Sequence, residues 1–146
     1  MAGSSMAQPD AILFDLDNTL CTFVDAKQAA CDAVISEAGT GSGADLFAYF
    51  LRPVHNFEDH AHITEYLTDI GVYSPELDSR AGIIYETVKL DTISLYPGVI
   101  EALELFRDSG VKIAVVTDAH STQAHARMKR LDIDRFFEVC ITPDMT

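Results

Sequence analysis

Two apolar segments that end in acidic residues constrain what this chain can fold into. The first reads AILF and is followed directly by Asp15 and, two residues further on, by Asp17. The second reads VKIAVV and is followed by Thr117 and Asp118. Unbroken apolar runs are typical of strands in a parallel sheet whose two faces are covered by helices. Because open α/β sheets hold their ligands at the carboxyl ends of the strands, we expect both segments to contribute to one site.

Helical periodicity fills the stretch between these two segments. Helices are predicted over residues 24–38, 45–51 and 58–70, each followed by a glycine or a proline. A fourth helix is predicted to begin at Pro75, with Ser74 as its N-cap. This part of the chain therefore has the length and the apolar periodicity of a small helical bundle inserted into the rest of the fold.

Helices and strands alternate after the insert. A helix is predicted from Pro97 to Gly110, then a strand over 111–116, a helix over 121–131 and a strand over 137–141. Strands alternating with helices imply parallel, right-handed β-α-β units. The predicted fold class is therefore α/β, with three parallel strands supplied by this chain.

Charge and composition exclude several classes of partner. The formal net charge is −13, from 23 acidic and 10 basic residues, so neither nucleic acid nor an anionic membrane is expected to bind. No run approaches the roughly 18 apolar residues that read as a membrane span. The cysteines Cys21, Cys31 and Cys140 have no CxxC spacing, which predicts reduced thiols in a cytoplasmic protein.

The spacing of Asp15 and Asp17 suits chemistry on a phosphate. Residues two apart on an extended segment point the same way, so both carboxylates are expected to face the crevice above the sheet. One carboxylate can attack phosphorus while the other exchanges protons with the leaving oxygen and with water. Two carboxylates repel a phosphate, so such a site needs a hard cation such as Mg²⁺. The alternative is that these acids and Thr117 serve only as turn and capping residues.

Two motifs carry a resemblance to a known family. DLDNT at residues 15–19 resembles the first motif of the haloacid dehalogenase-like superfamily, and VVTD at 115–118 resembles the second. The helical insert lies where cap-bearing members carry an α-helical cap. The segment LYPGVIEALELFRDSGVKIAVVTDAH is also similar to archaeal phosphatases of this group. The resemblance covers nearly the whole chain.

The resemblance implies a Mg²⁺-dependent phosphohydrolase that acts on a small phosphorylated metabolite through an aspartyl-phosphate. It implies that Asp15 is the nucleophile and a metal ligand, and that Asp17 is the general acid/base and binds the metal through its backbone carbonyl. It also implies that Thr117 holds the phosphoryl group, with Asp118 beside it in the substrate site. Two alternatives stay open: a sugar phosphomutase of the same fold, and a non-catalytic binding or assembly subunit.

The resemblance also implies a division into domains. Independently of the resemblance, the Gly, Ser and second Met of residues 1–9 indicate a leader outside the fold, either disordered or carried over from expression. Residues 10–20 and 96–146 are expected to form an incomplete Rossmann-like core, and residues 21–95 the helical cap.

Two motifs of the family are expected to lie outside this sequence: a lysine that neutralises the phosphate, and an acidic pair that completes the metal site. Lys129 is the nearest candidate lysine, but its place among basic residues on a helix face favours a solvated role. The first strand is central in sheets of this family, so ending at Thr146 would leave residues 11–14 as a bare apolar edge. We therefore expect a C-terminal fragment or a second chain to complete the sheet.

Three histidines, His55, His60 and His62, lie close together in the insert and raise the possibility of a metal site. His60 and His62 are two apart on a predicted helix and cannot share one face. The default interpretation is an exposed helix, with a place in the lining of a substrate pocket as the alternative.

Overall fold

A computed structural model describes residues 8–145 of the chain. The described residues form two compact units, one comprising the chain up to Thr22 and from Ser94 onward, the other comprising Phe23–Ile93. The strands are β1 (Ala11–Phe14), β2 (Lys112–Val116) and β3 (Cys140–Ile141). The helices are α1 (Val24–Ala38), α2 (Gly43–Phe50), α3 (Ala61–Asp69), α4 (Pro75–Thr92), α5 (Val99–Asp108) and α6 (Ser121–Arg130).

The first unit is built on a parallel sheet with the strand order β1-β2-β3. Helices α5 and α6 supply the other apolar surfaces of its core. The buried members of this core include Leu16, Leu20, Leu103, Ile113, Val115, Met128, Ile133 and Phe136. Three parallel strands and six helices confirm the predicted α/β class. Of the predicted leader, residues 1–9, only Gln8 and Pro9 are among the described residues, and the Gln8 amide donates a hydrogen bond to the Ser109 carbonyl at 3.0 Å.

Strand β1 departs from the expectation that both faces of the sheet would be covered. Leu13 is 65% exposed, whereas Phe14, on the opposite face, packs against Phe106 and Phe137 with ring centroids 6.1 and 6.4 Å away. The expectation is wrong for this strand because one of its faces, that of Ala11 and Leu13, is exposed to solvent in the described part of the chain.

The third strand is shorter than predicted. A 3₁₀ turn, Asp134–Phe136, precedes it and delays the extended conformation. Ladder hydrogen bonds begin just after this turn, where Glu138 N–H donates to Ile113 and Val115 N–H donates to Val139, at 2.9 and 3.0 Å.

The second unit is a bundle of four helices, α1 to α4. Its core includes Val34, Leu46, Phe50, Ile63, Leu67, Leu77, Ala81 and Tyr85. Helix α3 begins at Ala61, later than predicted, because the side chains of Asn56 and Asp59 accept backbone N–H groups two residues on and favour turns there. None of the helices in the described part of the chain is long and apolar enough to cross a bilayer.

The chain leaves the first unit at Thr22 and returns to it at Ser94, and these two residues are hydrogen-bonded neighbours. Thr22 N–H donates to the Ser94 carbonyl at 2.8 Å, and Ser94 N–H donates to the Thr22 hydroxyl at 3.1 Å. The helical unit is therefore an insertion whose two ends are joined at one point of the first unit.

Candidate active site

The carboxyl ends of β1 and β2 bring two of the predicted site residues to one edge of the sheet. Phe14 of β1 is in register with Val115 of β2. Asp15 directly follows Phe14, and Thr117 lies two residues after Val115, so their positions along the two strands differ by one residue. Asp15 is exposed to solvent and Thr117 is 6% exposed. An exposed carboxylate and a buried hydroxyl therefore lie at the carboxyl ends of neighbouring strands.

A tight turn after β1 presents Asp15. Leu16 and Leu20 are buried in the core, and Leu20 N–H donates to the Leu16 carbonyl at 2.9 Å. Asn18 has φ 62°, a left-handed conformation that asparagine tolerates better than most residues. The Thr19 hydroxyl lies 3.4 Å from Asp15 Oδ2, to which it donates a weak hydrogen bond. The two buried leucines fix the turn, and the Asp15 carboxylate lies at its surface.

Asp17 has a different environment from Asp15. Its Oδ2 accepts a hydrogen bond from Arg127 Nη1 at 2.7 Å, and its side chain is only 18% exposed. The Arg127 side chain is 2% exposed, so this is a buried ion pair between the turn after β1 and helix α6. The structure therefore places one predicted acid in solvent and holds the other against a cation inside the first unit.

Thr117 and Asp118 occupy the loop between β2 and α6. Thr117 Oγ accepts the Ala119 N–H at 3.2 Å, an interaction that orients the oxygen without using the proton of the hydroxyl. Asp118 is exposed. Thr117 therefore has a fixed oxygen and a proton that it can donate to an anion.

A third acid, Asp144, lies just past the end of β3. Its two oxygens accept the Ser121 N–H at 3.0 Å and the Ser121 hydroxyl at 2.5 Å, which caps the N-terminus of α6. The hydrogen bond from the Ser121 hydroxyl is the main reason that the pKa of Asp144 lies well below its ordinary range. Asp144 thus links β3 to the helix that follows the Thr117 loop.

Comparison with known proteins decides the family. Residues 9–146 match the family described as haloacid dehalogenase-like hydrolase. This chain belongs to the haloacid dehalogenase-like hydrolases. The match covers nearly all of the sequence, so the predicted family is confirmed.

Relatives of known activity are phosphatases. A phosphoglycolate phosphatase from Pseudomonas savastanoi pv. phaseolicola is 27% identical over 148 residues, which cover 93% of this chain and 51% of that protein. A glyceraldehyde 3-phosphate phosphatase from the archaeon Methanocaldococcus jannaschii is 28% identical over 142 residues, which cover 91% of this chain and 61% of that protein. This chain therefore spans about half to three fifths of the length of these relatives.

Solved structures of other proteins share the fold. A protein from Thermotoga maritima described as a beta-phosphoglucomutase superposes with a TM-score of 0.79 and 22% identity, covering 94% of this chain and 63% of that one. The hydrolase YfnB from Bacillus subtilis, solved bound to magnesium, superposes with a TM-score of 0.67 and 15% identity, covering 89% of this chain and 63% of that one. These likenesses confirm the Rossmann-like sheet.

The oxygen donors at the edge of the sheet suit Mg²⁺. This ion prefers hard oxygen ligands and usually binds through one or two carboxylates, keeping several waters and substrate oxygens. Asp15 offers an exposed carboxylate, and Asp17 follows two residues later in the same turn. Within residues 8–145, no three side chains of His, Cys, Asp or Glu come together as a ready-made metal cluster. The residues present fit a magnesium site with few protein ligands.

Cys21 lies beside the acids and is not suited to act as a nucleophile. Its Sγ is 3.9 Å from Asp17 Oδ1 and the residue is fully buried. Burial, and then the charge of Asp17, raises the pKa of the Cys21 thiol to about 12. The Cys21 thiol is therefore protonated at neutral pH, and a buried, protonated thiol is a poor nucleophile.

The three histidines of the helical unit do not gather around a common point for a metal. His55 Nε2 pairs with Glu65 at 2.7 Å, and His60 Nε2 pairs with Glu86 at 2.9 Å. His62 is fully buried, and burial lowers its pKa. The default expectation of an exposed helix is therefore wrong for His62, whose ring packs at a tilt against Phe50 in the core of the bundle, with the ring centroids 5.1 Å apart.

Arg127 is the site residue that the sequence analysis missed. Lys129 and Arg130 of the same helix are exposed, as expected for basic residues near a helix end, whereas Arg127 is buried. Its spacing gave a signal, since Arg127 lies three residues after Ala124 and beside Met128, both of which are buried. An arginine on the apolar face of a helix predicts an acidic partner, because a buried charge without one is strongly destabilising.

Proposed function

We propose that the protein hydrolyses phosphate monoesters of small metabolites, with Asp15 as the nucleophile. The observation that supports this most directly is the exposed Asp15 carboxylate at the end of β1, level with Thr117 at the end of the neighbouring strand β2. The family and the phosphatase relatives agree with this chemistry. The relatives act on different phosphorylated compounds by name, so we propose the substrate only as a class.

The proposed reaction has two steps. In the first, an Asp15 oxygen attacks phosphorus, the ester P–O bond breaks, and the leaving oxygen takes a proton from Asp17, giving an aspartyl-phosphate and an alcohol. In the second, Asp17 takes a proton from water as that water attacks phosphorus, which releases inorganic phosphate and restores Asp15. Thr117 donates its hydroxyl to a phosphoryl oxygen, and Asp118 lines the substrate side of the same loop.

We propose that Asp15 and Asp17 hold Mg²⁺, the former through its carboxylate and the latter through its backbone carbonyl. When bound, the ion would offset the repulsion between the acids and the phosphate dianion. The net charge of −13 makes such local compensation necessary, because the protein as a whole repels phosphate. The magnesium-bound relative of the same fold is consistent with this assignment.

We propose that the helical unit acts as a cap that selects the substrate and excludes water from the reaction. The free thiols of Cys21, Cys31 and Cys140 agree with a reducing compartment, and we propose the cytoplasm. We also propose that further polypeptide, either C-terminal or from a second chain, pairs with β1 and supplies a cation for the phosphate. The position of β1 at one edge of the described sheet, with Leu13 exposed on this strand, supports this pairing.

The test is the variant Asp15→Asn, assayed for release of phosphate from p-nitrophenyl phosphate with and without Mg²⁺. We expect turnover to fall to background, while Asp108→Asn, a change at an exposed acid on α5, leaves the rate unchanged. Mass spectrometry of the quenched wild type is expected to show a phosphoryl group on the peptide that contains Asp15. The assay is run on the 146-residue chain and on any longer form of the protein.

Three other outcomes of these assays would contradict the proposed function. Turnover retained by Asp15→Asn would remove the nucleophile assignment. Phosphate release that depends on a sugar bisphosphate would indicate a phosphomutase. A protein that neither turns over nor binds Mg²⁺ would indicate a non-catalytic subunit.

A further inference from the structure

We propose that Arg127 is a positioning residue for this reaction, which fixes the orientation of the Asp17 carboxylate. The inference rests on the proposed function, since it concerns how Asp17 exchanges its proton. The two residues are 110 positions apart in the sequence and meet through Nη1 and Oδ2 at 2.7 Å. The contact therefore exists only because the fold brings α6 against the turn after β1.

Arg127 is a charged residue at a position where an apolar side chain would be expected. Its neighbours on α6, Ala124 and Met128, are buried apolar residues, and the side chain itself is 2% exposed. Replacing a buried ion pair with apolar side chains of similar volume is often neutral or stabilising, so stability alone gives a weak reason for an arginine here. An ion pair is better explained by what it does to the acid at its other end.

Asp17 needs such a restraint. It lies in a short turn whose next residue, Asn18, has a left-handed backbone conformation with φ 62°. An aspartate in such a turn can adopt several rotamers, and the proposed proton transfer needs one that brings the carboxyl group to the leaving oxygen. A short bond from a rigid, planar guanidinium removes that freedom before substrate binds. Small errors in the placement of a reacting group are costly to rate, which is why orientation matters here.

The pair also connects the two halves of the site. Arg127 belongs to the helix that directly follows the Thr117 loop, and the N-terminus of that helix is capped by Asp144 from the end of β3. Asp17 belongs to the turn that carries Asp15. One ion pair thus fixes the acid/base relative to the segment that holds the phosphoryl group.

The kinetic test compares Arg127→Met and Arg127→Lys, with Arg130→Met as a control at an exposed arginine of the same helix. We expect Arg127→Met to lower kcat by about tenfold to a hundredfold with little change in KM, because orientation and not binding is lost. We expect Arg127→Lys to recover part of kcat, and Arg130→Met to keep the wild-type rate. In an Asp17→Asn background, Arg127→Met is expected to cause no further loss, since Arg127 acts through Asp17.

A second measurement does not depend on turnover. In nitrogen-15 NMR spectra, an arginine held by a carboxylate gives separate Nη–H signals because its rotation is restricted. We expect such signals from Arg127 in the wild type and their loss in Asp17→Asn, whether or not Arg127→Met folds. If the wild type releases no phosphate, the proposed function fails while these spectra still decide whether Arg127 fixes Asp17.

Two results would overturn the inference even in an active enzyme. One is kinetic: the Arg127→Met variant folds and keeps the wild-type kcat, or the substitution Arg127→Met lowers kcat by the same factor in Asp17→Asn as in the wild type. The other is a set of Arg127 signals that does not change when Asp17 is replaced.

Discussion

Three cationic side chains are almost fully buried among the described residues: Lys27, Lys89 and Arg127. The charge of each is compensated in a different way. Arg127 pairs with Asp17, and Lys89 lies between Glu58 and Glu86 at 2.8 and 3.1 Å. Lys27 instead donates to neutral groups in the helical unit, so its charge is the least compensated of the three.

The surroundings of Lys27 are aromatic. Its Nζ lies 3.7 Å from the ring centroid of Phe50 and 4.2 Å from that of Phe57, and it donates to the Phe57 carbonyl at 2.8 Å and to the Tyr85 hydroxyl. Cation–π contacts contribute about 0.5 to 2 kcal/mol each. Removing an ammonium group from water costs several kcal/mol, so desolvation outweighs them. Burial, and then the charge of Lys89, lowers the pKa of Lys27 to about 7.

This lowered pKa predicts a stability that rises with pH. Between about pH 7 and the ordinary lysine value of 10.5, the unfolded chain holds the Lys27 proton and the folded chain does not. The free energy of unfolding therefore increases with pH in this window, by up to about 1.4 kcal/mol per pH unit from this group. Below pH 7 both states are protonated, and the full cost of the buried charge is present. Urea unfolding followed by circular dichroism at several pH values measures the slope.

The variant Lys27→Met isolates this contribution, since methionine keeps much of the length and removes the charge. We expect its slope between pH 7 and 9 to be flatter than that of the wild type, whereas Lys129→Met, at an exposed lysine, keeps the wild-type slope. The window stops at pH 9 because burial raises the pKa of Cys21 and Cys31 from 9.0 to about 12, so these thiols oppose the trend above that value. Equal slopes in the wild type and Lys27→Met would show that Lys27 keeps its charge when buried.

At the residue scale, the helical spacing of Lys27 and Arg127 indicates buried positions, although basic residues are usually exposed. Lys27 is followed at helical intervals by Ala30, Cys31 and Val34, all of them buried, so its position lies on the apolar stripe of α1. Arg127 occupies the same kind of position on α6. The hydrogen-bond partners of Lys27 and Arg127 come from distant parts of the chain, which helical periodicity does not identify. Asp15 and Thr117 could be singled out from the sequence because each directly follows an apolar run.

At the element scale, the start of α4 shows how local chemistry sets a boundary. Ser74 is the N-cap and Pro75 is the first helical residue, as predicted, and the Ser74 hydroxyl accepts the Leu77 N–H at 3.1 Å. We expect Ser74→Ala to lower the free energy of unfolding by about 1 kcal/mol, because an N–H group at the helix start loses its acceptor. Urea unfolding of the chain measures this change.

The same helix offers a matched control. Ser79 is exposed in the interior of α4, where alanine is the better helix former, so Ser79→Ala is expected to be neutral or slightly stabilising. A loss of stability of the same size in both variants would show that the effect of Ser74→Ala is not one of capping.

Elements with strong local signals were predicted to within a few residues. Helix α1 has the predicted bounds, and Gly39 ends it in a left-handed conformation with φ 78°. Strand β3 was predicted too long because its extent depends on pairing with β2 and on the preceding 3₁₀ turn. Coverage of the two faces of β1 could not be read from its own four residues, since it depends on which elements pack beside it.

At the scale of the whole molecule, the open side of β1 is the feature with the clearest physical consequence. An edge strand presents unpaired N–H and C=O groups, and apolar side chains on it favour pairing with another chain. The edge carries Leu13 at 65% exposure, on a strand whose other face is packed. The large negative charge of −13 opposes association at long range, but it does not remove this local patch.

We therefore expect the 146-residue chain to self-associate through β1, and Leu13→Lys to reduce that association because a lysine on an edge strand disfavours pairing. The control is Leu105→Lys, which replaces a leucine of nearly equal exposure, 63%, on helix α5. Both variants change the net charge and the exposed apolar area by similar amounts, so only the strand edge distinguishes them. Sedimentation velocity over a range of concentrations is expected to show a larger shift towards monomer for Leu13→Lys than for Leu105→Lys. A wild-type chain that stays monomeric throughout, or equal shifts in the two variants, would contradict a role for the edge and would also weaken the case that further polypeptide pairs with β1.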